Sequence, residues 1–208
     1  GCPAVPRSRG GAGASIEYAQ LCGLGSASAR LKELAKTRDE PFQSILLRYA
    51  CERFLYRLSI SEHRERCLLK GASLIGMWMA EPYRTTRDID LLARGTSDEV
   101  SVSRLIATVC AIPCPEDGIG FDLESLRFEP IREDTEYIGQ RAKFVARLAN
   151  ARICMQIDIG FGDSVEPVEG EYPVLLQGLP APRLLAYPRE YVVAEKFEAM
   201  LELGRGNS

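Results

Sequence analysis

Asp88 and Asp90 are the residues of this 208-residue sequence whose spacing speaks most directly of chemistry. They stand two apart in Asp88-Ile89-Asp90-Leu91-Leu92, a run that reads as a strand. Both carboxylates then leave one face while Ile89 and Leu91 enter a core. Two carboxylates held that close repel unless a cation sits between them, and such a pair commonly binds Mg²⁺, which takes oxygen ligands and keeps waters and substrate phosphates around it. Asp158 lies on the polar face of a second strand, Arg152 to Gly160, whose other face is Ile153, Met155, Ile157 and Ile159. It would complete a three-carboxylate cluster if the two strands are neighbours. For an Asp-x-Asp alone, the competing reading is a solvated strand end.

The neighbours of the pair favour the chemical reading. Lys70-Gly71-Ala72-Ser73 sits between a short apolar strand, Arg66 to Lys70, and a helix expected from Ser73 to Ala80. Backbone amides and small side chains at such a turn let phosphate oxygens approach closely; an ordinary tight connection is the alternative. Tyr83-Arg84-Thr85-Thr86-Arg87 then places two guanidinium groups, those of Arg84 and Arg87, directly before Asp88. Arginine forks grip phosphate oxygens beside a metal, although plain compensation of Asp88 and Asp90 also explains them. A glycine turn, a helix, two arginines and an Asp-x-Asp strand, in that order, form the outline of a phosphoryl- or nucleotidyl-transfer site.

The positioning elements follow from composition and periodicity. With 26 Lys+Arg against 29 Asp+Glu, the net charge of −3 argues against nonspecific coating of nucleic acid. The single histidine, His63, excludes zinc sites built on two or three imidazoles; it lies in Glu62-His63-Arg64-Glu65-Arg66 and is expected on an exposed charged segment. Cys2, Cys22, Cys51, Cys67, Cys110, Cys114 and Cys154 make an odd count with no Cys-x-x-Cys pair, which fits reduced thiols in a cytoplasm. The longest apolar stretches stop near ten residues, short of the roughly twenty a membrane span needs.

Residues 1–25, rich in Gly and Pro, read as a flexible leader, and residues 26–208 as one domain. A helix capped by Ser28 and a second one from Pro41 to about Leu58 are expected to form an N-terminal helical cap. Asp98 to Cys110 reads as a helix, with Val102, Leu105, Ile106 and Val109 inward. Strands are expected at Phe121 to Ile131, Tyr137 to Leu148 and Arg152 to Gly160, with Leu184 to Tyr187 as an edge strand. A final helix, Arg189 to Leu203, places Val192, Val193, Phe197 and Met200 on one side. The mix is α+β on a mixed sheet.

The blocks Lys70-Gly71-Ala72-Ser73 and Tyr83 to Leu92 resemble the AbiEii/AbiGii-type nucleotidyltransferase toxins of type IV toxin–antitoxin and abortive-infection systems. The resemblance continues through Ile131-Arg132-Glu133-Asp134, Gln156 to Asp163, Tyr187 to Glu190 and Val193 to Met200. It implies the polymerase-β-like nucleotidyltransferase fold, with Gly71-Ala72 where the family has Gly-Gly or Gly-Ser and with Ser73 one place late. It makes Asp88 and Asp90 the metal-binding pair and Asp158 the later carboxylate, a candidate to accept the proton of the attacking hydroxyl. Lys196 matches a lysine that would neutralise nucleotide phosphates; a surface lysine is the alternative there. The implied reaction is Mg²⁺-dependent transfer of NMP from an NTP to an acceptor hydroxyl, with RNA, tRNA included, as an acceptor class. The implied partner is an antitoxin of winged-helix type. Arg30, Lys32, Lys36 and Arg38 are a candidate RNA patch. Relatives continue beyond the late helix, so a missing C-terminal helical region is expected. Two other readings use the same acids: an inactive NTP-binding or interaction module, and a two-metal hydrolase.

Overall fold

The computed structural model describes residues 27–78, 88–132, 138–162, 165–194 and 197. The expected leader, the arginines Arg84 and Arg87, and Lys196 lie outside the described residues. Residues 27–38 are helical (α1) and Phe42–Ser59 form α2. Residue 27 is already helical, so Ser28 lies inside α1 and does not cap it. The break between the two helices is made by Asp39 at φ 52°, followed by Glu40 and by Pro41 at the N-cap of α2. Pro41 lacks the N–H that would extend the first helix and has its φ already near helical values.

Seven strands follow: β1 Cys67–Lys70, β2 Ile89–Ala93, β3 Ile119–Arg132, β4 Ile138–Leu148, β5 Ala151–Phe161, β6 Val168–Glu171 and β7 Arg183–Ala186. They form one mixed sheet in the order β3-β4-β5-β2-β1-β7-β6. β3, β4 and β5 are an antiparallel meander; β2 is parallel to β5, and β1 is parallel to β7. Gly71–Leu74 forms a 3₁₀ turn leading into the short helix α3, Ile75–Trp78. α4 spans Glu99–Ala111, capped by the Asp98 carboxylate accepting from the Ser101 N–H at 2.9 Å. The architecture is α+β, a seven-stranded mixed sheet flanked by helices, consistent with a nucleotidyltransferase-like fold.

One face of the sheet carries the core. Phe54 of α2 meets Phe121 of β3 and Phe144 of β4 at ring-centroid distances of 6.0 and 6.1 Å. Ile153, Met155, Ile157 and Ile159 alternate into the same core, as their period-two spacing requires. α2 is a core element more than a cap, buried on nearly every side, and therefore its charges must be paired internally. Arg57 does this with its whole guanidinium: it grips both oxygens of Asp117 at 2.7 and 3.2 Å and donates to the carbonyls of Ile112, Arg53 and Ile119. Removing one member leaves the other charged and buried. Arg57→Met should therefore lower unfolding stability by about 3–5 kcal/mol, read from the urea midpoint.

Glu52, one turn earlier, lies 2.6 Å from Arg53 without hydrogen-bond alignment, and its other oxygen accepts from the Leu175 N–H at 2.6 Å. Burial, opposed by Arg53, pushes its carboxyl up from 4.5 to about 7. The folded protein thus holds a proton that the unfolded chain releases, and this contribution to stability is lost as pH rises from 4.5 to 7. Glu52→Gln keeps an acceptor for Leu175 but cannot titrate. Its unfolding free energy should fall less across that window than the parent's, measured by urea denaturation at both ends.

Several expectations need correction. His63 is buried, 7% exposed, with neither ring nitrogen hydrogen-bonded; the turn Ser61–Arg66 folds back to start β1 and tucks the ring inward while its charged neighbours stay out. β7 is not an edge strand but lies between β1 and β6. β6, Val-Glu-Gly-Glu, is the edge on that side of the sheet and has no apolar alternation to announce it. Residues 189–194 and 197 are helical, yet Val193 and Phe197 are 58% and 64% exposed, and of the expected inward residues that are described only Val192 packs on the core. No described element covers those two side chains.

Candidate active site

The expected strand reading of Asp88 to Leu92 puts both acids on one face, and the structure agrees. Ile89 is buried at 1% exposure, whereas Asp88, just ahead of β2, and Asp90, within it, are half-buried. The neighbouring strands settle what lies beside them. Lys70 of β1 is directly opposite Asp90, Asp90 is aligned with Asp158 of β5, and Asp158 is directly opposite Arg141 of β4. Residues paired across adjacent strands share a face. One transverse row, Lys70–Asp90–Asp158–Arg141, therefore crosses four strands with two acids flanked by two cations. It lies on the face away from the Phe54 cluster, where Lys143 and Arg147 of β4 also stand in the open.

The turn after β1 is wrapped around Asp90. Gly71 has φ +66°, a left-handed conformation that side chains resist. A Cβ built on it would stand 2.6 Å from the Asp90 carboxyl carbon. The Ala72 N–H donates to that carboxylate. Ser73, buried, donates its hydroxyl to the Asp88 carbonyl at 2.9 Å and so ties the turn to the start of β2. In this arrangement Ala72 and Ser73 hold the acid-bearing strand; the Ser73 hydroxyl is spent on backbone.

Burial, then the negative charges of Asp158 and Asp88, push the Asp90 carboxyl up from 3.8 to about 6, against the pull of the Ala72 N–H and Lys70. Negative charge is thus in surplus around Asp90, which is the environment a divalent cation relieves. Asp88 and Asp90, oxygen donors two residues apart, suit Mg²⁺, which needs few protein ligands when phosphates and waters supply the rest. Asp158 is differently placed. Arg141 Nε and Nη2 hold its two oxygens at 2.8 and 2.7 Å, and Gln156 Nε2 adds a bond of 3.2 Å. Among the described residues no group of three acidic, histidine or cysteine side chains forms a metal-ligand set.

The expected site residues thus divide. Lys70, Gly71, Ala72, Asp88, Asp90 and Asp158 gather on one end of β1, β2 and β5, with Ser73 behind them. Arg84, Arg87 and Lys196 lie outside the described residues. Of the basic residues expected as an RNA patch, Arg30 donates to the Gln177 carbonyl, Lys32 lies 5.9 Å from the Phe42 ring centroid and Lys36 pairs with Glu33 at 3.6 Å. Sequence reasoning passed over Arg141. Its only local signal is its place on the polar side of Gln140-Arg141-Ala142-Lys143, and its partner is seventeen residues away.

No curated protein matches this sequence. A crystal structure of JHP933 from Helicobacter pylori is similar over 74% of this chain at 12% identity and a TM-score of 0.44. The chain spans 56% of that protein's length. Residues 53–208 match the family model described as nucleotidyl transferase AbiEii toxin, type IV TA system. The match takes in the turn, Asp88, Asp90, Arg141 and Asp158, and the chain belongs to the AbiEii nucleotidyltransferase toxin family.

Proposed function

We propose that residues 26–208 act as an Mg²⁺-dependent nucleotidyltransferase toxin that moves NMP from an NTP to an acceptor hydroxyl on RNA, tRNA being a fitting acceptor. The observation that carries the reading is the transverse row: Asp90 sits in a glycine-turn cradle beside Asp158, with Asp88 on the same face. Asp88 and Asp90 would hold Mg²⁺. When bound, the metal lowers the pKa of the attacking hydroxyl and offsets charge on the departing pyrophosphate.

This chain's own residues do the remaining work. The acceptor oxygen forms a bond to the α-phosphorus as the bond to the β-phosphate oxygen breaks and pyrophosphate leaves. Lys70, opposite Asp90, offers an ammonium to the phosphates at the end of β1. Arg84, Arg87 and Lys196 are assigned the same task. Asp158 has both oxygens engaged by the Arg141 fork, and in this reading solvent takes the hydroxyl proton. The protein works in the cytoplasm beside a winged-helix antitoxin that neutralises it. Among the described residues no helix is long and apolar enough to cross a membrane.

The test is incubation with each α-labelled NTP, Mg²⁺ and total RNA. Label on RNA together with pyrophosphate release supports transfer. NTP binding without pyrophosphate points to the inactive module, and free nucleotide or phosphate without labelled RNA points to hydrolysis.

A further inference from the structure

We propose that Arg141 is a positioning residue whose fork withholds Asp158 from a divalent cation, leaving Asp88 and Asp90 as its protein ligands. The inference rests on the reading of Asp88 and Asp90 as the metal pair. Three features of the row carry it.

The first is occupancy. Both Asp158 oxygens accept from one guanidinium, at 2.8 and 2.7 Å, with Gln156 as a further donor. A planar guanidinium that never loses its charge matches a carboxylate in two parallel bonds. A cation reaching for Asp158 must break them.

The second is exclusivity. Arg141 has an acid on either side, since Glu129 of β3 is its other cross-strand neighbour. Glu129, however, is taken on both oxygens by Lys143, at 2.9 and 2.7 Å. Arg141 is thereby left to Asp158. The flanking Lys143–Glu129 pair keeps the arginine on one carboxylate.

The third is charge. Lys70 and Arg141 contribute two positive charges against three negative ones, Asp90 and Asp158 of the row and Asp88 beside it, a net of −1. Without Arg141 the sum is −2, and the freed carboxylate stands next to Asp90. Arg141 therefore holds back the affinity of the empty row for a bare cation, so that the cation is bound well only with the triphosphate oxygens that complete its shell. An arginine that merely braced the sheet would affect folding and would not make metal binding tighter when removed.

The experiment measures Mn²⁺ binding to the full chain without nucleotide, by electron paramagnetic resonance of the free ion. Arg141→Gln should bind Mn²⁺ about tenfold more tightly than the parent, the size expected for removing one nearby charge at a partly solvated site. Arg141→Lys, which retains the charge but not the fork, should shift the same way by less, and it serves if the glutamine variant does not fold. Adding Asp158→Asn to Arg141→Gln should abolish the gain. Unchanged or weaker Mn²⁺ binding in both single variants would overturn the inference, as would a gain that survives Asp158→Asn. Failure of the underlying metal reading looks different: Mn²⁺ binding by the parent would then be indifferent to Asp88→Asn and Asp90→Asn.

Discussion

Asp90→Asn should abolish nucleotide transfer while leaving the protein folded. Asp90 is the residue of the row that meets every other part of the site: the Ala72 N–H, Lys70 across the ladder, Asp158 beside it and Asp88 two residues before it. Replacing its carboxylate removes one of the two oxygen ligands proposed for the cation, and charge stabilisation of that kind supplies several kcal/mol to the transition state. At 1.36 kcal/mol per decade the loss in kcat is on the order of 10³ or more. Folding should not suffer, because the amide carbonyl still accepts from Ala72 and the repulsion with Asp158 and Asp88 is gone. A melting temperature at or above the parent's, with labelled RNA absent from the transfer assay, is the expected pair of results. Transfer at parental rate would remove Asp90 from the mechanism. A collapsed melting temperature would make it a folding residue.

Gly71→Ala should lose both activity and stability, for a reason unrelated to metal. The backbone at Gly71 has φ +66°, and the added methyl would lie 2.6 Å from Cγ and 2.8 Å from Cβ of Asp90. Left-handed strain costs about 1–3 kcal/mol for a residue other than glycine, and relief of the clash must push either the turn or the Asp90 carboxylate out of place. Because neither the β2 backbone nor its ladder with β1 can give easily, the carboxylate moves and transfer falls as in Asp90→Asn. Ser73→Ala is the useful contrast. It removes only the hydroxyl bond to the Asp88 carbonyl, worth about 1 kcal/mol, and should keep measurable transfer. Equal damage from the two changes in a urea denaturation and transfer assay would contradict the steric account.

Local pattern marks some elements of this chain and not others for a physical reason. β2 and β5 were legible because each alternates: Ile89 and Leu91 against Asp88 and Asp90, and Ile153 to Ile159 against Arg152 to Asp158. Period two reports which face a side chain takes, and in both strands that face was right. β6 was invisible because Val168-Glu169-Gly170-Glu171 buries no apolar side; its pairing with β7 makes it a strand. Leu184 to Tyr187 read as an edge because it is short, but its apolar residues are buried by neighbours on both sides, β1 and β6. His63 failed in the opposite direction. Its charged neighbours dominate any local average, while the turn before β1 decides where a single ring goes.

The AbiEii family, the α+β class, the paired acids on one face and the glycine turn before them were all determined by the sequence itself, because each depends on contiguous residues and on local periodicity. Which strands are neighbours was decided only by tertiary structure. So were the alignment of Asp90 with Asp158, the Gly71 backbone pressed against Asp90, and Arg141 opposite Asp158. The β4–β5 hairpin shows why. Its turn, with Ala149 at φ 50°, sets Leu148 opposite Ala151, and that register carries along the ladder to place Arg141 on Asp158. A slip of one residue would send Arg141 to the buried face and leave the carboxylate unheld. Local pattern assigns a side chain to a face, but only the summed packing of distant strands assigns it a partner.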